Sequence, residues 1–128
     1  MPALPGSRMD FATPSQLLAG FAGRTILIIP IMPAYIIARV EVTDWDRYRE
    51  YTKATPAAIA RYGGRFIVRG GEMVVLEGPA ETRRVVVIEF PTLDKAKEFF
   101  HSEEYSQVKK LRKGAAMGQF IAIEGSSI

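Results

Sequence analysis

The chain has 128 residues, which is enough for one hydrophobic core and too few for two domains of ordinary size. Its 17 basic and 14 acidic residues give a formal charge of +3, and the two signs are interspersed. Proteins that bind phosphate backbones usually have a denser basic stripe, so we predict no nucleic-acid partner. The sequence has no cysteine and one histidine, which excludes disulfides, thiolate chemistry and a metal site built from several imidazoles of one chain. We therefore predict no metal site.

Residues 1–31 differ from the rest of the chain in composition. They hold four of the eight prolines but only three charged residues. We predict an N-terminal extension over residues 1–31, either a packed arm or a passive tail, followed by one domain over residues 32–128. The apolar stretch between Arg24 and Arg39 is interrupted by two prolines and is shorter than a membrane-spanning helix requires. We expect a cytoplasmic protein without a membrane segment.

A regular pattern of apolar residues starts with the segment Ala34–Val42, whose alternation predicts a strand with one buried face. Thr43 or Asp44 then supplies a helix cap, and apolar residues recur at near-helical spacing as far as Tyr62. Pro56 lies inside this helical pattern, so we predict that the helix kinks or restarts there.

Two glycine pairs, at residues 63–64 and 70–71, bracket the second predicted strand, Arg65–Arg69. Because glycine reaches positive φ without steric cost, the first pair ends the helix and the second pair ends the strand. A short ribbon is predicted over Met73–Glu77. The most continuous apolar run of the domain lies in Arg83–Phe90, which predicts a central strand.

The last third of the chain completes the pattern. Pro91 has no N–H for strand pairing and ends the central strand, and Thr92 and Ser102 are predicted caps of two helical segments. Gln119–Glu124 is the last predicted strand. The order strand, helix, strand, strand, helix, strand predicts an α+β, ferredoxin-like split βαβ fold, in which helices cover one face of a four-stranded antiparallel sheet.

The opposite face of this sheet is predicted to be too apolar to remain in water. Tyr35 and Ile37 of the first strand lie on it, and Ile121 and Ile123 of the last strand contribute to it. A second copy of the same sheet is the simplest cover, which predicts a two-fold homodimer.

Residues 32–125 resemble the DUF1330 family in the order and spacing of several short motifs. The motifs are Ala34-Tyr35-Ile36-Ile37-Ala38, Tyr62-Gly63-Gly64-Arg65-Phe66, Arg69-Gly70-Gly71, Leu76-Glu77-Gly78, Glu89-Phe90-Pro91, Ser102-Glu103-Glu104-Tyr105 and Arg112. This family comprises small proteins of unassigned function in the dimeric α/β-barrel superfamily. The resemblance implies a barrel-forming dimer and establishes no activity.

His101 and Glu89 are the candidate catalytic residues. His101 follows two phenylalanines at a helix junction, where an imidazole of near-neutral pKa can act as a general base. The alternative is a histidine held at the helix end by a backbone carbonyl. Glu89, on the central strand, is either an acid or the partner of an arginine such as Arg39 or Arg69.

Tyr48, Tyr62, Tyr105 and Arg65 are the candidate lining of a small-molecule pocket between helices and sheet. Each tyrosine lies on or beside an apolar helical face and offers an apolar body with one polar tip. Core packing with satisfied hydroxyls is the alternative. Arg65 and Arg69 are predicted to share one face, where they either clamp a small carboxylate or pair at the dimer seam.

Three function classes stay open at this level. The first, by analogy with the superfamily, is an enzyme that acts on a small organic molecule without a cofactor. The second is a non-catalytic small-ligand-binding or accessory protein, and the third is a purely structural dimer module. An enzyme requires a pocket with a perturbed ionisable group, a binder requires a pocket without one, and a module requires no pocket.

Overall fold

The computed structural model describes residues 16–18, 28–30 and 32–126. Two short strands, β1 (Gln16–Leu18) and β2 (Ile28–Pro30), pair antiparallel in a sheet of their own. The predicted N-terminal extension otherwise lies outside the described residues, and the choice between a packed arm and a passive tail stays a prediction.

The domain is built on a four-stranded antiparallel sheet. Its strands are β3 (Ala34–Val42), β4 (Arg65–Arg69), β5 (Arg84–Phe90) and β6 (Ala116–Glu124), in the spatial order β4-β5-β3-β6. Helix α1 (Trp45–Arg61) connects β3 to β4, and the connection from β5 to β6 contains α2 (Leu93–Phe100), α3 (Glu103–Lys109) and a 3₁₀ turn (Lys110–Arg112). This topology confirms the predicted α+β, ferredoxin-like fold.

The helices cover one face of the sheet, which we call the inner face. Alternate residues of β3 and β5, such as Ile36 and Val86, lie on this face and are buried. The Phe99 ring packs against Phe90 and Tyr105, with ring centroids 5.2 Å and 4.6 Å apart. All three side chains are fully buried, so truncating one of them to alanine would cost about 3–5 kcal/mol of folding free energy.

The opposite face, which we call the outer face, is left without a cover in the single chain. It carries Ile37 and Val87 near its centre and Met117, Ile121 and Ile123 along β6. Ile121 is 47% exposed and Ile123 is 51% exposed. The alternation predicted for the first strand therefore places one apolar set in the core and leaves a second apolar set facing water.

The helix ends follow their predicted caps. The side chains of Asp44, Thr92 and Ser102 each accept a hydrogen bond from the backbone N–H three residues later. Gly63 has a φ of +79°, which ends α1 in the left-handed region. Among the described helices, none combines the length and the hydropathy needed to cross a bilayer.

Helix α1 continues through Pro56, so of the two predicted alternatives, a kink or a restart, the restart is wrong. A proline has no N–H for the carbonyl four residues earlier, which here belongs to Thr52. The Thr52 carbonyl instead accepts from the Thr55 hydroxyl at 3.3 Å and from Arg69 Nη2 at 2.6 Å. These donors replace the missing backbone hydrogen bond, so the helix continues and β4 is tied to α1.

A bulge between Phe66 and Val68 separates the two arginines of β4. Arg65 lies opposite Glu89 on the outer face, whereas Arg69 falls on the inner face. The prediction that Arg65 and Arg69 share one face is wrong, because one extra residue in a strand reverses the alternation of the side chains after it.

The predicted ribbon over Met73–Glu77 is not a strand. The segment pairs with no strand among the described residues, and its side chains are exposed, Leu76 by 93%. Apolar and β-branched residues favour a strand only where a neighbouring strand edge supplies hydrogen bonds. The segment is therefore an exposed apolar loop between β4 and β5.

Candidate functional site

A cavity lies between the helices and the inner face of the sheet. Its walls are mostly apolar, formed by side chains of β3 and β5 with Phe66, Phe99 and Phe100. The polar side chains that reach it are Tyr48, Tyr51, Thr52, Thr55, Arg69, Arg84 and Tyr105. Its volume is about 30 Å³, room for one or two water molecules, so a larger ligand requires side chains to move.

Two tyrosine hydroxyls meet in this cavity. Tyr51 of α1 and Tyr105 of α3 are both buried, and their hydroxyl oxygens lie 2.5 Å apart. In such a pair one hydroxyl donates to the other, which leaves the second proton for a further acceptor. Burial, reinforced by the neighbouring Tyr105 hydroxyl, raises the pKa of Tyr51 far above its usual value. Tyr51 is therefore a proton donor at neutral pH and not a base.

The Arg112 guanidinium lies beside this pair. Its carbon is 5.4 Å from the centre of the Tyr51 ring and 4.7 Å from that of Phe120. Burial lowers the pKa of Arg112, but the Tyr105 and Tyr51 hydroxyls outweigh it and the net shift is upward. Arg112 Nε is buried without a hydrogen-bond partner. A fixed cation beside two hydroxyl donors can stabilise negative charge that develops on an oxygen bound there.

A second arginine, Arg84 of β5, enters the cavity beside Tyr48. Its guanidinium carbon lies 6.0 Å from the centre of the Tyr48 ring and 5.8 Å from the Trp45 ring. Burial raises the pKa of Tyr48, and the charge of Arg84 partly opposes this shift. Arg84 Nε is also buried without a hydrogen-bond partner.

Arg69 bridges β4 and α1 at the edge of the cavity. Its guanidinium donates to the Thr52 carbonyl and lies 4.0 Å from the centre of the Phe66 ring. Because Pro56 leaves that carbonyl without its usual helical donor, the helix offers Arg69 an anchor at this position.

Two of the residues predicted to form the site, Tyr48 and Tyr105, line this cavity. Tyr62 follows the last residue of α1, where its hydroxyl donates to Glu104 Oε1 at 2.9 Å and its ring packs on Phe99. Tyr62 is not among the residues that line the cavity. Of the three tyrosines predicted to converge, the structure therefore brings only Tyr48 and Tyr105 together.

Arg65 and Glu89 lie across the sheet from the cavity, on the outer face. Arg65 Nε is 2.9 Å from Glu89 Oε1, and the Tyr35 hydroxyl donates to Glu89 Oε2 at 3.2 Å. Glu89 is thus in an ion pair, but with neither Arg39 nor Arg69 as its partner. Arg39 instead pairs with Glu81 at 3.6 Å. Arg65, and not Arg69, reaches Glu89 because Arg65 lies directly opposite Glu89 in the β4–β5 register, whereas Arg69 lies opposite Val86.

His101 ends α2 and is exposed to solvent. Its backbone N–H donates to the Lys97 carbonyl, and its ring stacks edge-on against Phe100. It borders a separate depression at the edge of the sheet, with Ile121 and Ala122 of β6. The structure thus places the imidazole outside the cavity that holds the tyrosine pair.

Tyr51, Arg84 and Arg112 were not among the predicted site residues. Tyr51 lies three residues after Tyr48 and four before Thr55, a spacing that places all three on one helical face. That signal was present in the sequence. The sequence gives no such signal for Arg84 or Arg112. Arg84 lies on a strand and Arg112 in a 3₁₀ turn, and only the tertiary fold brings them beside the tyrosines.

The described residues contain no group of three or more His, Asp or Glu side chains placed to hold a metal ion. What the cavity offers instead is hydrogen-bond donation and positive charge: two paired hydroxyls, a third hydroxyl on Tyr48, and the guanidinium groups of two lining arginines, with a third guanidinium, that of Arg112, beside the tyrosine pair. Such a set can bind an oxygen-containing organic molecule and stabilise an oxyanion or enolate form of it.

The raised pKa of Tyr51 predicts a loss of stability in alkali. Above pH about 10 the unfolded chain ionises Tyr51 while the folded chain keeps its proton, so the free energy of unfolding falls by about 1.4 kcal/mol per pH unit for this group. Tyr51→Phe should have a shallower decline than the unsubstituted protein. Urea unfolding between pH about 9 and 11 measures it, and equal slopes for the two proteins would contradict the prediction.

Comparison with known proteins identifies the fold and the family. The chain is similar in structure to RPA0582, a protein of unknown function from Rhodopseudomonas palustris, with a TM-score of 0.62, 17% identity and coverage of 97% of each chain. It is also similar to SnoaB, a cofactor-independent oxygenase from Streptomyces nogalater, with a TM-score of 0.55 and 11% identity over 76% of this chain and 96% of that one. At these identities the likeness shows the fold alone.

No curated protein matches this chain closely enough to be counted as a relative. The family model described as "Domain of unknown function (DUF1330)" matches residues 33–126, which is most of the chain and contains the whole four-stranded sheet and its helices. The resemblance seen in the short sequence motifs is thereby confirmed, and the chain belongs to the DUF1330 family.

Proposed function

We propose that this protein is an enzyme that acts, without a cofactor, on a small organic molecule bound between the helices and the inner face of the sheet. One observation carries the proposal: the Tyr51–Tyr105 hydroxyl pair, 2.5 Å apart, is enclosed by aromatic rings and flanked by the Arg112 cation. Core tyrosines that only pack need no cation beside their hydroxyls.

The pair acts as an oxyanion site in this proposal. The hydroxyl that accepts within the pair directs its own proton to an oxygen of the bound molecule, and Arg112 stabilises the charge that develops there. Because the surrounding walls are apolar, these interactions are stronger than the same contacts in water. Chemistry that passes through an enolate or a similar anion is the class that such a site would favour.

The similarity to SnoaB is compatible with this proposal and does not carry it. SnoaB is a cofactor-independent oxygenase. A fold hosts many activities, so the shared fold makes chemistry without a cofactor reasonable but transfers no reaction to this chain.

A second candidate is a binding protein without catalysis. The observation that favours it is that the cavity lining holds no histidine, aspartate or glutamate that can take up a proton near neutral pH. A substrate that reacts here would have to be acidic enough to lose its proton to water or to arrive as an anion. A ligand that is only stored or carried would need no such group.

Native mass spectrometry of freshly purified protein tests the proposal and separates the two candidates. We expect a small organic molecule to be retained, and we expect incubation in air to convert it to a product of different mass. Retention without conversion over many hours would favour binding alone. Absence of any retained molecule, combined with no binding of small organic compounds in solution, would argue for a structural module.

We also propose that two copies associate through their outer faces. The apolar side chains of β6 are about half exposed in the single chain, and Ile37 and Val87 lie beside them on the same face. Monomeric proteins rarely leave a contiguous apolar sheet face in water. An identical face is self-complementary under two-fold symmetry, so a homodimer covers both at once.

The domain boundary is testable by deletion, and we propose that residues 1–31 are dispensable for folding. Among the described residues, the four-stranded sheet contains no strand from this segment, and β1 and β2 form a separate sheet. Removing residues 1–31 should lower the free energy of unfolding by less than about 2 kcal/mol, as judged from denaturant unfolding beside the full chain. A larger loss would show that the extension is an arm that packs on the domain.

A further inference from the structure

The arginines of the described residues differ in their partners. Those away from the cavity mostly pair with carboxylates: Arg39 and Arg83 with Glu81, Arg49 with Asp46, Arg61 with Glu104, and Arg65 with Glu89. Arg69 and Arg84 line the cavity, and Arg112 lies beside its tyrosine pair. None of these three has a carboxylate within ion-pair distance in the described part of the chain. Three cations without a protein anion beside an apolar cavity favour a ligand that brings its own negative charge.

Of these three arginines, Arg84 is the one that lines a second depression as well as the cavity. It borders the cavity on one side and a larger open groove, of about 650 Å³, on the other. Trp45 borders the same groove. A ligand that enters the cavity from the groove must therefore pass the Arg84 guanidinium, whose buried Nε has no hydrogen-bond partner. That N–H is a donor for which the fold supplies no acceptor.

Gly70 leaves the space that Arg84 occupies. A Cβ at this position would overlap Arg84 Nη1, and the φ of +71° is one that other residues adopt at a cost. The glycine pair that follows β4 therefore does more than turn the chain. It lets the backbone approach the guanidinium so closely that any side chain would displace it.

We infer that the ligand of this cavity is a small organic acid whose carboxylate pairs with Arg84 and whose apolar body lies against Phe66, Phe99 and Phe100. This inference rests on the proposed function, because it names the substrate class of the same cavity. An arginine presents two parallel N–H donors to a carboxylate, a geometry that a neutral amide cannot match. Arg69, at the edge beside Phe66, adds a second positive charge on the approach.

The sole tryptophan gives a local readout. The centre of the Trp45 ring lies 5.8 Å from the Arg84 guanidinium carbon, so its fluorescence should change when that group is occupied. The probes are three acids and their amides, benzoate with benzamide, 3-phenylpropanoate with 3-phenylpropanamide, and hexanoate with hexanamide, together with inorganic phosphate. We expect at least one acid to bind at least about tenfold more tightly than its amide.

Three outcomes would overturn the inference. One is that no acid changes the fluorescence up to about 10 mM, and another is that each amide binds as well as its acid. A third is that phosphate binds as well as the best acid, since a general anion site needs no apolar cavity.

Substitutions at Arg84 and Gly70 test whether the acid binds at the Arg84 guanidinium. Arg84→Met should weaken binding of the best acid by about tenfold or more, and Arg84→Lys should weaken it less because the charge is kept while the parallel donors are lost. Arg49→Met, which removes an exposed arginine of α1, is the matched control and should bind as the unsubstituted protein does. Gly70→Ala should weaken binding without removing a charge, because its methyl group displaces Arg84. Equal affinity in Arg84→Met, Arg84→Lys and the control would overturn the assignment.

This test and that of the proposed function can fail separately. Acid binding that depends on Arg84, with no conversion of any retained molecule, supports the ligand class and argues against the enzyme. Conversion of a retained neutral molecule supports the enzyme and overturns the ligand class.

Discussion

Replacing Ile121 with glutamate is expected to turn the protein from a dimer into a monomer. Ile121 lies on the outer face opposite Ile37 and is 47% exposed in the single chain. In a two-fold interface the substitution occurs twice and places two like charges on an apolar surface. If each copy costs about 2 kcal/mol, the dissociation constant rises about a thousandfold. Light scattering at micromolar concentration should then report the monomer mass of 14.2 kDa.

Leu111→Glu is the matched control for this substitution. Leu111 is also an exposed apolar residue, but it lies in the 3₁₀ turn on the helical layer and not on the outer face. This variant should stay dimeric. Three results would contradict the proposed interface: an unsubstituted protein that is already monomeric, an Ile121→Glu variant that remains dimeric, or a Leu111→Glu variant that dissociates as readily.

The fold was predictable because its signals are local and repeated. The alternation of Ala34–Val42, the left-handed Gly63 and the caps at Thr92 and Ser102 each depend on a few neighbouring residues, and the structure has all of them. Where the prediction failed, a tertiary contact decided. Pro56 stays inside α1 partly because Arg69, distant along the chain, supplies a donor to the Thr52 carbonyl.

The start of the last strand is a second place where tertiary contacts, and not the local sequence, decide the structure. The last strand is predicted to begin at Gln119, but β6 begins at Ala116 and therefore contains Gly118. A Cβ on Gly118 would lie 2.9 Å from the Phe120 ring and 3.1 Å from the Arg39 carbonyl, so the glycine makes room within the sheet. No local rule separates this role from that of a turn glycine.

The candidate site was predictable only in part, because it combines three distant segments. Tyr48 and Tyr105 could be predicted because they are tyrosines on apolar helical faces. Tyr51 shares the helical face of Tyr48. The arginines beside these tyrosines could not be predicted as site residues from the sequence. Arg84 reaches the inner face because β5 pairs with β3 in one register, and Arg112 reaches it because a 3₁₀ turn follows α3. A single-residue shift in that register would place Arg84 on the outer face.

Tyr51→Phe is expected to slow conversion of the retained molecule by about a hundredfold to a thousandfold, the usual cost of removing one oxyanion donor. Its ring stays in place, so binding should weaken much less than the rate. The substitution also removes the partner of the Tyr105 hydroxyl, which should lower the free energy of unfolding by about 1–2 kcal/mol. Single-turnover rates, ligand titration and urea unfolding measure the three effects separately.

Tyr62→Phe is the matched control, because it removes a tyrosine hydroxyl from the same helical layer, one that is bound to Glu104 and lies outside the cavity. Its rate should equal that of the unsubstituted protein. Tyr105→Phe should slow the reaction as Tyr51→Phe does, and the double variant should be little slower than either, since residues that act as one unit have non-additive effects. A Tyr51→Phe variant that converts the molecule at the unchanged rate would remove the hydroxyl pair from the mechanism. The cavity would then be a binding site whose tyrosines only hold it in shape.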